Sequence, residues 1–200
     1  VSILDEIRNN RIDHSDFELI DRVLNGHIHS FEELVNRYKK TVYYLTYRMV
    51  HDHEDASDLS QETFLKAYQG LKKFKRQSSF HTWLYRITVN LCINYLRKKR
   101  SRQFVELDEK TSIVEVPDIL NQLELEELQG RVSDAVNLLP EKQRAAIILR
   151  IYHGLSHKEI SDILGCSVGT VKANYFHAIR NLRDVFASST EIHESIANEL

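Results

Sequence analysis

Apolar residues recur every three or four positions along most of the chain, which is the signature of amphipathic helices packed on one side. From about Asp16, Phe17, Ile20, Val23 and Leu24 share a face, and Gly26 punctuates its end. A second period opens after Ser30 and runs to about Val50 through Phe31, Leu34, Val35, Tyr38, Val42, Leu45 and Met49. A third covers Asp55 to Phe74, with Ala56, Leu59, Phe64, Ala67, Tyr68 and Leu71 facing inward. A fourth begins at Phe80 and runs to about Lys99, with Trp83, Leu84, Ile87, Val89, Leu91, Ile93 and Leu96 as its apolar set.

The period then fails over 102–121, where Pro117 appears, so this stretch reads as a linker between domains at 1–101 and 122–200. Beyond it, Leu123, Leu128, Val132, Val136 and Leu139 mark a further helix, and Pro140 starts another that ends near Gly154. The segment Leu155 to Arg183 reads as two helices around a tight turn. Ser156 and Glu159 have the spacing of a capping box, and Gly165 suits a left-handed stop. Ser167 or Thr170 then caps a second helix carrying Lys172, Asn174, His177, Arg180 and Arg183. A helix-turn-helix with that polar face has the donors to reach base edges and phosphates. The tail from Ala187 has no pattern beyond a possible short helix.

With 6 Gly, 2 Pro and no β-rich run, the expected fold is all-α: two small helical domains joined by a flexible acidic linker. No apolar run is long enough for a membrane span or a signal peptide, which predicts a cytoplasmic protein without membrane insertion. Cys92 and Cys166 stand far apart, as small buried residues in a reducing compartment do. The polar run His51 to Asp55 reads as a solvated turn, and no metal or cofactor is expected.

A formal net charge of −2 argues against nucleic acid only until the charges are placed. Between Lys72 and Arg102 there are ten basic residues and no acid, whereas Gln103 to Leu128 holds eight acids and one Lys. Basic residues interleaved with aromatics and amides on the fourth helix suit opened or single-stranded nucleic acid. Asp58, Gln61, Glu62 and Leu65 form a separate patch at helical spacing, read either as solvated surface or as a dock for a basic partner.

Four stretches together resemble one family: DASDLSQETFLKAY (55–68), SSFHTWLYRITVNLCINYLRKKR (78–100), LPEKQRAAIILR (139–150) and the helix-turn-helix. They look like the extracytoplasmic-function sigma factors, two-domain members of the sigma-70 family. The resemblance implies a non-enzymatic subunit, with no catalytic residues, that binds core RNA polymerase and directs it to promoter DNA. It also implies control by an anti-sigma factor. On that resemblance Asp58, Gln61 and Glu62 dock on polymerase. Lys75, Arg76, Ser78, Ser79 and Asn90 meet the opened minus-ten element, with Arg97, Lys98 and Arg100 on phosphates. Lys172, Ala173, Asn174, Phe176 and His177 meet the minus-thirty-five duplex, with Arg180 near the backbone. Many members carry Arg where His177 stands and Ser-Arg where Ala173 and Asn174 stand, so a different promoter preference is expected. The rival reading is a helix-turn-helix repressor or activator that needs no polymerase. A hydrolase or nuclease lacks both paired carboxylates with His and a phosphate-binding Gly loop.

Overall fold

The computed structural model describes residues 15–106, 130 and 132–197. Every regular element among them is helical. Helix α1 spans Asp16–Leu24, α2 His29–Val50, α3 His53–Gly70 and α4 Phe80–Glu106, with a 3-10 turn at Leu71–Lys73 before the loop to α4. After a helical stretch at 132–137 come α5 (Glu141–Ile151), α6 (His157–Leu164) and α7 (Val168–Ala197).

The chain ends its helices with local chemistry that the sequence carries openly. Ser15 and Glu18 form a reciprocal capping box before α1, and Ser156 and Glu159 repeat it before α6. In the second box, Ser156 holds the Glu159 carboxyl below its ordinary pKa by donating to it. Ser156→Ala should cost about 1 kcal/mol of stability, read as a lower denaturant midpoint with an unchanged slope. Asp52 caps α3 by accepting from the Asp55 amide at 2.9 Å, which is the structural role of the polar run at 51–55. Ser167, not Thr170, caps α7, accepting from the Thr170 amide at 3.1 Å. Gly165 sits at φ 61°, ψ 40°, the left-handed stop between α6 and α7.

Several boundaries differ from the periodicity reading. Ser30 is not a cap: α2 starts one residue earlier and buries Ser30 in its first turn. Pro140 lies just outside α5, as the residue before its first turn. Helix α4 continues to Glu106, past the expected end at Lys99, so 102–106 are helical and not linker. The run from Arg97 to Gln103 lacks an apolar stripe but contains good helix formers and neither Gly nor Pro, so nothing stops propagation. Helix α7 likewise runs to Ala197, through the tail that lacked a pattern. The rest of the expected linker and the helix before Val132 lie outside the described residues.

Two apolar clusters organise the packing. The first joins α1 to the other helices of the first half: Leu19, Ile20, Leu34, Val42, Ala67, Leu71, Phe80 and Leu84. Around its rim Phe74 stacks on Trp83 with ring centroids 4.8 Å apart, so the single Trp is a partly buried packing residue. A buried hydroxyl pair crosses α2 and α3, with Thr46 Oγ1 2.8 Å from Ser60 Oγ.

The second cluster ignores the expected domain boundary. Leu45, Met49 and Val50 of α2 and Tyr85, Val89, Cys92 and Ile93 of α4 share it with Ile148 and Leu149 of α5. Ile160 and Ile163 of α6 and Val171 and Ala178 of α7 complete it. The two halves, expected as separate domains, share one core here. Burial pushes the Cys92 thiol up to about 12, so it is a packing group without thiolate character. Cys166, also free, is only partly buried.

Candidate nucleic-acid and polymerase interface

Three exposed surfaces carry the residues singled out from sequence. Burial of Ala56, Leu59, Thr63 and Ala67 on one side of α3 turns Asp58, Gln61, Glu62 and Leu65 outward on the other. Leu65 is 57% exposed, an apolar centre among polar neighbours. Glu62 pairs with Lys66 at 3.3 Å, and Gln61 reaches Ser57 at 3.4 Å, both within the helix. These contacts are exposed and exchangeable for a partner's.

The second surface is the loop after the 3-10 turn together with the solvent side of α4. Lys75, Arg76 and Ser79 are exposed and Ser78 is half-buried. Ser79 has a further task, capping α4 through the Thr82 amide at 3.1 Å. Arg76 is not a free cation: it adopts φ 56° and both guanidinium nitrogens reach Asp21 of α1, one at 3.2 Å. It also lies over the Phe17 ring at 5.6 Å. Asn90, Arg97, Lys98 and Arg100 point to solvent along α4, with Arg100 3.7 Å from Glu141 of α5. Neighbouring Lys99 is turned back onto Asp55 at 3.2 Å; the Tyr95 hydroxyl, donating to the same carboxyl, holds it below its ordinary pKa.

Between this loop and the second half lies a cavity of about 540 Å³. Phe74, Ser78, Trp83 and Arg86 form one wall, and Lys158 and Asp162 of α6 form the other. Nothing in the sequence signals this meeting, since α6 is distant in the chain and its exposed polar side reads as solvated.

The third surface is α7. Val171 and Ala178 are buried against α5 and α6, which exposes Lys172, Ala173, Phe176, His177 and Arg180 along one stripe. Phe176 is 63% exposed, and Arg180 is 3.9 Å from Asp184. Asn174 falls on the flank of this stripe and is half-buried. Among the described residues no group of three or more His, Cys, Asp or Glu could hold a metal ion, and no helix is long and apolar enough to cross a membrane.

A helix-turn-helix with a free basic stripe, attached to a helical unit with its own basic surface, defines a DNA-binding protein of the transcription machinery. The comparisons narrow this class. Residues 34–102 match the sigma-70 region 2 family and residues 129–182 match sigma-70 region 4. The chain is 38% identical to the ECF RNA polymerase sigma-E factor of Haemophilus influenzae, over 82% of this chain and 91% of that protein. It is 35% identical to the RNA polymerase sigma-H factor of Pseudomonas aeruginosa, over 82% and 89%. Its fold is similar to that of the sigma factor RpoE bound to the anti-sigma factor NepR from Bartonella quintana. There the TM-score is 0.60 at 27% identity, over 78% of this chain and 96% of that one. It also shares the fold of CnrH in complex with the cytosolic domain of CnrY, at a TM-score of 0.65 and 23% identity, over 88% and 99%. The chain belongs to the sigma-70 family, in its extracytoplasmic-function branch.

Proposed function

We propose that this sigma factor docks on core RNA polymerase through Asp58, Gln61 and Glu62 of α3, and places its loop and α4 at the minus-ten element and α7 at the minus-thirty-five element. The observation that carries this reading is the order of the two matched regions along one chain, each with its polar stripe left exposed. Two carboxylates and an amide, three or four residues apart, present acceptors in a row for Arg and Lys of a partner.

At the minus-ten element, the loop Lys75, Arg76, Ser78 and Ser79 with Asn90 would hold bases of the separated strand. Unstacking a base costs a few kcal/mol, so contacts made only to the opened strand must offset it. Arg97, Lys98 and Arg100 would neutralise phosphates and set register without reading sequence. Arg76 must leave Asp21 to take part, an exchange of one exposed ion pair for another at little net cost.

On α7, Lys172, Ala173, Phe176 and His177 are placed to meet base edges, with Asn174 at the side and Arg180 toward the backbone. His177→Ala should relax base preference at one position, whereas Arg180→Ala should weaken all duplexes alike and lower the salt slope by about one. Selection of bound duplexes together with salt titration separates the two outcomes. On this reading the chain performs no chemistry of its own, needs no cofactor, acts in the cytoplasm beside polymerase, and is held inactive by an anti-sigma partner. Two helical units, the first extending to the end of α4 at Glu106, fit these tasks.

The test is transcription from genomic fragments with purified core polymerase, with and without this protein, followed by sequencing of RNA 5′ ends. New starts that share two upstream elements support the reading. Tight duplex binding by the protein alone, with no new starts, would favour a repressor or activator instead.

A further inference from the structure

The shared core poses a problem of reach. Promoter elements centred about 25 base pairs apart lie ~85 Å apart along straight duplex. A compact chain of this length is only ~45 Å across. With α6 packed on α4 and walling the cavity beside the minus-ten loop, the halves must separate before both elements can be read.

A polar seam runs through that contact. The Tyr85 hydroxyl of α4 is 2.9 Å from Nδ1 of His153, in the turn after α5. The two rings meet edge to face with centroids 5.1 Å apart, and the His81 ring lies tilted against Tyr85 with centroids 4.0 Å apart. The second nitrogen of His153, Nε2, is buried without a partner. Whichever tautomer is present, the protonated ring carries an N–H at Nε2 with no acceptor, and its Nδ1–H can only donate, so the Tyr85 hydroxyl can no longer donate to it. The groups around it offer a cation no counter-charge. Tyr85 and His81 face it from α4, and Arg48 acts on it from α2, its guanidinium held over the adjacent Tyr152 ring at 3.8 Å. Glu159 and Asp16 act on His81.

We propose that the Tyr85–His153 contact is an acid-sensitive latch, closed while His153 is neutral and released when it is protonated, so that mild acid shifts the free chain toward the open arrangement that promoter reading requires. Burial, with His81 and Arg48 adding repulsion, lowers the His153 pKa from 6.5 to about 4 in the closed chain. In the open chain His153 is solvated and titrates near its ordinary value. Between those values the open form binds more protons, so falling pH favours opening, beginning below about 6.5 and saturating below about 4. Each unit of difference is worth tenfold in the open-to-closed ratio. Discounted for the partial exposure of His153, the expected gain at pH 5 is about tenfold.

The experiment is small-angle scattering of the full chain between pH 7.5 and 5, with helicity followed by circular dichroism. The wild type should show a larger radius of gyration at pH 5 than at pH 7.5, as a roughly tenfold rise in the open-to-closed ratio requires, with helicity unchanged. His153→Asn, which keeps an oxygen acceptor where Nδ1 lies but does not titrate, should stay compact at both pH values. His81→Gln should still expand. Equal expansion of wild type and His153→Asn would move the sensor elsewhere and overturn the proposal. No expansion of the wild type, or expansion only with loss of helix, would overturn it too. Scattering reads the latch without reference to transcription, so its failure is distinct from failure of the sigma-factor assignment of sites.

Discussion

Replacing Asp58, Gln61 and Glu62 together by Ala is expected to abolish promoter-directed transcription while leaving the fold and duplex binding intact. All three side chains are exposed on the side of α3 that faces away from Ala56, Leu59, Thr63 and Ala67, so truncation opens no cavity. Their intrahelical contacts, Glu62 to Lys66 and Gln61 to Ser57, are worth a few tenths of a kcal/mol each. Against a cationic partner, however, each charge-assisted hydrogen bond contributes about 1.5–3 kcal/mol. Losing two such bonds weakens core-polymerase binding by at least ~100-fold. Titration of labelled core polymerase against wild type and triple variant reads this directly, and unfolding curves confirm equal stability. A variant that binds core with wild-type affinity would show that this face of α3 is solvated surface and no more.

Arg144→Ala should be strongly destabilising, although it removes a charged side chain. Arg144 is 7% exposed, and its guanidinium satisfies carbonyls. Nη1 donates to the Met49 carbonyl at 2.7 Å, near the end of α2, and Nη2 donates to the carbonyls of Asn137 and, at 3.4 Å, Leu139. Burial depresses its pKa, as desolvation of a cation must. Truncation leaves buried acceptors without donors and removes the aliphatic stem from the shared core, for a loss of about 2–4 kcal/mol. The thermal midpoint then falls by roughly 10 °C. Lys does not rescue it, because one ammonium cannot span carbonyls on two elements as the planar fork does. The Met49 bond joins the two halves, so the variant also opens more readily at neutral pH. A change of under 1 kcal/mol would mean that water satisfies these carbonyls.

Much of the site was legible before any coordinates. The capping boxes, the left-handed Gly165 and the stripe on α7 are short-range features: the spacing of a few residues fixes which amides are capped and which side chains face away from Val171 and Ala178. The α3 patch was equally visible as a pattern. Its reading depended on resemblance, since exposure alone does not distinguish a dock from a solvated face.

Helix ends without a stop signal were harder. Periodicity reports a buried side, and α4 past Lys99 has none, yet its backbone continues because nothing in 97–103 breaks it. The family resemblance puts Arg76 at the opened minus-ten element. Its pairing with Asp21, 55 positions away, leaves no local trace.

The sequence by itself determined the helices, their caps, the family and the polar side chains left exposed on α3, α4 and α7, because all of these follow from residues within a turn or two of one another. Only the tertiary structure decided that the halves share a core, that Arg144 closes the end of α2, and that Tyr85 meets His153 across the seam. The physical reason is sequence separation. An apolar face on α4 or α6 must be buried to be stable, but its period does not say against which distant helix. Likewise, whether a histidine is solvated or sealed in a seam between cationic neighbours is a property of the packing and not of the chain.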